Sequence, residues 1–289
     1  MRGDGVPSMR EMPAMAVASF SVWLRDVFSY GVTLAATFGV LMTAETVWPR
    51  YETRISLRSR LKAMLFWAVW VPVTVPLLLA FAALWQMTGI KPLVPFLAAP
   101  GLPRPVGLVA AALLAAMVGD FFYYWCHRFQ HRFLWRFHAV HHSVREMSGF
   151  TAYHHVTEAA MKFVLYGAPL SIFTDDPFSI PILGGLLGIQ GHYLHSPTRL
   201  NFGRLGRVLQ DNRFHRIHHS IHPEHYDRNF AVFTTFWDWL FGTAYFPAEG
   251  EWPETGVLEM PEPETVGDFL VAPFRMGRGA EVAAQPEAS

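Results

Sequence analysis

Three short segments decide how this chain is read: His127-Arg-Phe-Gln-His131, then His138-Ala-Val-His141-His142, and further on His215-Arg-Ile-His218-His219. They lie in one window, His127 to His225, which holds all 14 histidines of the 289-residue chain. Spacings of three and four put side chains on one face of a helix. Each His-x-x-His-His therefore presents three imidazoles to one point. His127, His131 and His138 fit a single helical stripe. Neutral nitrogen donors preset at neighbouring positions are what a metal centre needs.

The three motifs offer more nitrogens than one metal with an open position uses, so two metals are implied. His154, His155, His192 and His195 form a looser group. Adding His155 and either His192 or His195 gives each ion four or five nitrogens. His222 and His225, in a Pro-Glu-rich stretch, read as structural. All-imidazole sites suit iron, zinc or copper. A structural zinc is satisfied by four ligands, and a zinc protease would show His-Glu-x-x-His, which this sequence lacks. Two irons with an open position for oxygen fit best, and their chemistry is oxidation of an unactivated C–H bond. A zinc-dependent membrane hydrolase or a metal-handling membrane protein is the alternative. Asp120, Glu158 and Asp211 are spaced to accept hydrogen bonds from ligand rings.

Composition points to a membrane. Hydrophobic residues make up 52% and charged residues 16%, against roughly 25% charged in soluble domains. The lone cysteine, Cys126, rules out an internal disulfide framework and a thiolate zinc site, and reads as a buried small hydrophobe. Zero net charge without a basic run argues against nucleic acid. Arginine outnumbers lysine 20 to 3, a hint of a bacterial coding sequence.

Val27 to Val47 and Ala63 to Trp85 are long and apolar enough to cross a bilayer, the second despite Pro72 and Pro76. Between them lie Arg50, Arg54, Arg58, Arg60 and Lys62, which the positive-inside rule places in the cytoplasm. A third span starts near Val106 and runs without a break signal into His127, returning to the side where Arg128, Arg132, Arg136 and Arg145 lie. Val156 to Phe173 and Pro177 to Leu194, each about 18 residues, read either as two short spans or as a hairpin dipping into the membrane, and either way their ends return to the same side. All the histidines then share the cytoplasmic surface, and a lipid-like substrate enters from the bilayer.

The motifs and their flanks resemble the fatty acid hydroxylase/sterol desaturase superfamily of integral-membrane di-iron enzymes. The resemblance runs from about Asp120 to Thr243. It includes Phe137-His138-Ala139-Val140-His141-His142-Ser143 and Arg216-Ile217-His218-His219-Ser220. Asn229-Phe230 followed by Trp237-Asp238-Trp239-Leu240-Phe241-Gly242-Thr243 is similar to the family's Asn-Tyr-Gly … Trp-Asp-x-Leu-Phe-Gly-Thr. Asn229-Phe230-Ala231 departs from Asn-Tyr-Gly, and His154-His155 and His192-x-x-His195 depart in local pattern. The resemblance implies two irons, molecular oxygen, and hydroxylation or desaturation of a sterol, fatty acyl or ether lipid, or carotenoid. Electrons come from a separate donor of the ferredoxin or cytochrome b5 type.

The expected fold is all-α, with about four membrane spans or half-spans and a cytoplasmic histidine-rich helical cap holding a dinuclear metal site. It divides into a partly interfacial segment (1–26), transmembrane helices (27–119), a catalytic domain (120–247) and a polar, disordered tail (248–289). The expected location is a bacterial inner membrane.

Overall fold

The structure, a computed structural model, describes residues 12–50, 55–91, 103–173 and 188–276. These residues are helical, joined by loops and a few isolated β-bridges. Three long helices come first: α1 (Met12–Val47), α2 (Leu57–Met87) and α3 (Arg104–Phe133). At 1.5 Å per residue they measure about 45–54 Å, against a hydrocarbon core of roughly 30 Å. Val27–Val47 and Leu57–Met87 meet the length and apolarity of a membrane span. Only 22% of each apolar window is buried in the protein, so these are not the core helices of a soluble domain. Ser56 caps α2 by accepting from the Ser59 amide, and α2 passes through Pro72 and Pro76 unbroken. Of the expected apolar stretch Pro177 to Leu194, residues 177–187 lie outside the described residues.

α3 carries His127 and His131 out of its apolar run on one uninterrupted helix. The expected single stripe through His138 does not form. Leu134 leaves helical geometry at φ −124°, and a new helix, α4 (Trp135–His142), starts at once. The bend folds His138 and His142 back against His127 and His131, which a straight helix would have carried away. Beyond it come α5 (Glu158–Lys162), a π-helical turn (Phe163–Gly167) and α6 (Ala168–Phe173). Then follow a helical stretch at 188–193, α7 (Asn212–His218) and α8 (Phe236–Leu240).

The region expected as a disordered tail is ordered as far as residue 276. Val257, Met260 and Phe269 enter the main core with Phe66 and Trp67 of α2 and Val140 of α4. Helix α9 (Val266–Arg275) is capped by Thr265, whose hydroxyl accepts from the Asp268 amide. Phe269 stacks on Phe66 at 4.6 Å. The glutamates that suggested a solvated tail pair with the basic linker instead: Glu262 with Lys62 at 2.8 Å and Glu264 with Arg58 at 3.0 Å.

The 3₁₀ turn Gly149–Thr151 fastens the cap to α1 and α2. Gly149 donates its amide to the buried Glu45 carboxylate at 2.9 Å, and Trp67 donates its indole N–H to the Phe150 carbonyl at 2.8 Å. A Cβ on Gly149 would sit 2.6 Å from Leu41 Cδ1. Gly149→Ala is therefore expected to cost about 1–3 kcal/mol through overpacking. Adding Leu41→Ala, which opens the space, should recover part of that loss; thermal unfolding of the detergent-purified variants measures both.

Candidate metal centre

Helices α3, α4 and α7 bring the three motifs together, and the imidazoles sort into two groups. His127, His131, His138, His142 and His218 have ring nitrogens within 4.8 Å of one another; His141, His195, His215 and His219 form the second group by the same measure. The two His-x-x-His-His triplets divide reciprocally. α4 gives its i, i+4 pair, His138 and His142, to the first group and His141 to the second. α7 gives its i, i+4 pair, His215 and His219, to the second and His218 to the first. Residues four apart share a helix face while the third points aside, so each helix reaches both groups. His142 and His219 stack at 4.2 Å where the groups adjoin.

Hydrogen bonds fix which nitrogen faces inward. A carbonyl oxygen only accepts, so a ring nitrogen beside one carries the proton. His127 donates from Nδ1 to the Phe230 carbonyl at 2.6 Å, and His218 donates from Nδ1 to the Arg228 carbonyl at 2.8 Å. Their Nε2 atoms, left as lone pairs, lie 3.0 Å apart. In the second group, His141 donates from Nδ1 to the Tyr153 carbonyl and His195 to the Gly191 carbonyl, both at 2.9 Å. Their Nε2 atoms face each other at 3.2 Å. Lone pairs so placed repel unless a proton or a metal cation lies between them. Burial, reinforced by neighbouring imidazoles, holds His127, His141 and His218 well below the usual 6.5, and burial takes His195 down to about 3. A proton is therefore not held there at neutral pH. A metal is the fitting occupant: nitrogens about 3 Å apart are what two ligands at right angles around an ion at about 2.1 Å present.

Three rings of the first group, His127, His131 and His218, are aimed by one loop, 227–234. Asp227 Oδ1 lies 3.7 Å from His131 Nδ1, and the Arg228 and Phe230 carbonyls hold His218 and His127. The loop begins with Asp227 and Asn229 in left-handed geometry, at φ 55° and 61°, which these residues tolerate best after glycine. Two buried carboxylates then take five successive amides. Asp238 accepts from Phe230 (2.7 Å) and Ala231 (2.9 Å). Asp120 accepts from Val232 (2.8 Å), Phe233 (2.9 Å) and Thr234 (2.8 Å).

Of the three carboxylates expected to hold ligand rings, Glu158 does so, with Oε2 3.2 Å from His138 Nδ1 and bonded to Gln130 at 2.9 Å. Asp120 faces the loop instead, so it acts on His127 only through Phe230. Asp211 caps α7 and pairs with Arg213 at 2.6 Å. His155 and His192 are placed outside both groups. His155 lies between Thr157 Oγ1 and the Leu270 carbonyl of α9, and His192 donates to the Gly149 carbonyl. His154 stacks on His141 at 3.9 Å, and with His138 and Glu158 it forms a third potential ligand set. Cys126 is buried, and His225 is held by Ser220 and Glu251.

His141, His195 and His215 line a cavity of about 770 Å³, together with Trp70, Leu78 and Trp85 of α2 and with Phe163 and Leu170.

Comparison with known proteins bears on the same residues. The sequence model of the fatty acid hydroxylase family matches residues 112–243. The chain is 32% identical over 133 residues to alkylglycerol monooxygenase of Danio rerio, covering 45% of this chain and 29% of that protein. It is 28% identical over 155 residues to ornithine lipid hydroxylase OlsE of Rhizobium tropici, covering 50% and 45%. It is 27% identical over 156 residues to very-long-chain aldehyde decarbonylase CER1 of Arabidopsis thaliana, covering 48% and 24%. The chain thus spans less than half the length of each of these relatives. No solved structure matches it significantly. Residues 112–243, the stretch that matches the fatty acid hydroxylase family model, contain every histidine of both groups.

Proposed function

We propose that the chain is an integral-membrane di-iron oxygenase that uses molecular oxygen and electrons from a separate donor to oxidise a lipid-like substrate. The observation that carries this reading is the pair of facing imidazole lone pairs, one in each histidine group, at 3.0 and 3.2 Å. His127, His131, His138, His142 and His218 would hold one iron, and His141, His195, His215 and His219 the other. Bound there, two irons would supply the reduction of oxygen that breaks an unactivated C–H bond. Sets of five and four imidazoles exceed the three protein ligands of a hydrolytic zinc, which disfavours the hydrolase alternative. The names of the relatives, a monooxygenase and a hydroxylase acting on lipids among them, favour hydroxylation over desaturation.

The residues of the chain have distinct tasks in this reading. The carbonyls of Phe230, Arg228, Tyr153 and Gly191 keep Nδ1 protonated and Nε2 free for metal. The apolar walls of the cavity exclude water and receive the alkyl part of a substrate beside His141, His195 and His215. α1, α2 and the first part of α3 cross the bilayer. The basic residues around α2 and after His127 set the metal centre on the cytoplasmic side.

Metal analysis with Mössbauer spectroscopy after iron-57 labelling is the direct test. Two coupled irons per chain are expected, and two zincs that iron cannot replace with activity would overturn the proposal. His141→Ala and His218→Ala should each lose bound iron, while His155→Ala and His192→Ala should keep both ions. Asp120→Ala strands three amides at about 1–3 kcal/mol each and should lower both stability and iron content.

Acid should act on the metal-free protein in a defined direction. The folded histidines titrate below the usual 6.5, so the unfolded chain binds more protons once pH falls under that value. Their contribution to stability is complete above pH 6.5 and is lost as pH drops toward the depressed folded values. A thermal melt of the metal-free protein should show its midpoint falling from pH 7 to 5; a flat profile would contradict buried neutral imidazoles.

A further inference from the structure

The cavity is apolar over most of its wall but carries one cation. Lys162, one of three lysines in the chain, lines it at the last position of α5. About a quarter of its side chain is open (24%), although the residue is surrounded by protein. Among the described residues its ion-pair partner is Glu158 Oε2 at 3.9 Å, and that oxygen is already engaged by His138 and Gln130. The Tyr123 ring lies 5.9 Å away. An ammonium has three donors, so this one reaches the cavity largely unused. An ionisable group placed in an apolar surround is costly, and at membrane depth it marks function. The helix is irregular immediately after it: the π-turn Phe163–Gly167 contributes Phe163, Tyr166 and Gly167 to the same wall, and such turns gather at functional sites. Lys162 also lies toward the metal end. Beyond burial and the neighbouring imidazoles, its charge opposes protonation of His141 and His195.

We propose that Lys162 anchors a negatively charged head group of the substrate, with the alkyl chain running toward Trp70, Leu78 and Trp85. This deepens the lipid-oxygenase reading, on which it rests, by assigning the substrate class: an amphiphile with a carboxylate or phosphate close to its oxidised end. The head group would complete the ammonium's hydrogen bonding at the histidine end of the cavity, so that the chain enters tail-outward from the bilayer. A neutral ester or alcohol of equal length would leave that cation with only its 3.9 Å contact to Glu158 among the described residues.

The test is a binding measurement on the metal-loaded, detergent-purified protein. Trp67, Trp70 and Trp85 line the cavity, so a dibrominated stearic acid bound there quenches tryptophan fluorescence. Stearate, hexadecyl phosphate and methyl stearate are then compared as competitors. Stearate or the alkyl phosphate, or both, should bind about tenfold or more tightly than the ester, the scale of one charge-assisted hydrogen bond. Lys162→Met should erase the preference without weakening the ester, and Lys162→Arg should retain it. Which anion binds more tightly separates carboxylate from phosphate head groups. Equal binding of acid, phosphate and ester by the wild-type protein overturns the anchor while leaving the lipid reading intact, and it needs no variant to fold. A preference that survives Lys162→Met overturns it as well, by placing the anion elsewhere. If no amphiphile competes and none quenches, both the anchor and the lipid cavity fall.

Discussion

Imidazole lone pairs pointing at one another inside a protein are unfavourable, and this structure is arranged to make them do so. Nine histidines converge in two groups, and the rings whose tautomers are fixed by carbonyls turn Nδ1 outward and Nε2 inward. Without a cation between them, such rings would rotate apart or take up protons. The geometry is therefore pre-organised for metal, and its cost is carried by the surrounding hydrogen bonds. The bend at Leu134 and the reciprocal division of the two His-x-x-His-His triplets serve the same end. Each lets a single short helix supply both groups.

The loop 227–234 shows how that cost is distributed. It has little regular structure, yet its amides from 230 to 234 are all taken by Asp120 and Asp238. A loop so pinned holds its carbonyls as firmly as a strand would. Asp120 and His127 stand on the same helix, so α3 grips the loop from one position while the loop aims a ring at another. The carboxylates contribute without touching a ligand, by fixing the oxygens that do.

Much of this was legible in the residues, and the misses have physical causes. Histidine spacing shows which residues can share a helix face, and it located the clustered nitrogens. It does not show where a helix ends. Leu134 is an ordinary helix former, and nothing local announces the bend there. Choosing between His154 and His155, or between His192 and His195, depends on the side to which a loop turns, which is decided by contacts such as His192 with Gly149 and His155 with Leu270. Ring partners such as Phe230 and Arg228 act through carbonyls that every residue possesses, so sequence cannot mark them. The ordered stretch after residue 247 was obscured by composition, since its prolines and glutamates mimic a solvated tail. Thr265 and Asp268 at a helix start, with Val266, Phe269 and Pro273 on one face, were the available signal.

The cavity draws its walls from two sources with different histories in the chain. The histidines that line it lie inside the matched stretch, 112–243, whereas Trp67, Trp70, Leu78 and Trp85 belong to α2, outside it. The histidine groups and the tryptophan-rich part of the wall are thus encoded in separate segments of sequence. A protein sharing the histidine-bearing stretch but carrying a different helix in place of α2 would keep the same histidine groups beside a differently shaped cavity. Diversification of substrate in such a design needs no change at the metal, only a new helix laid against an old one.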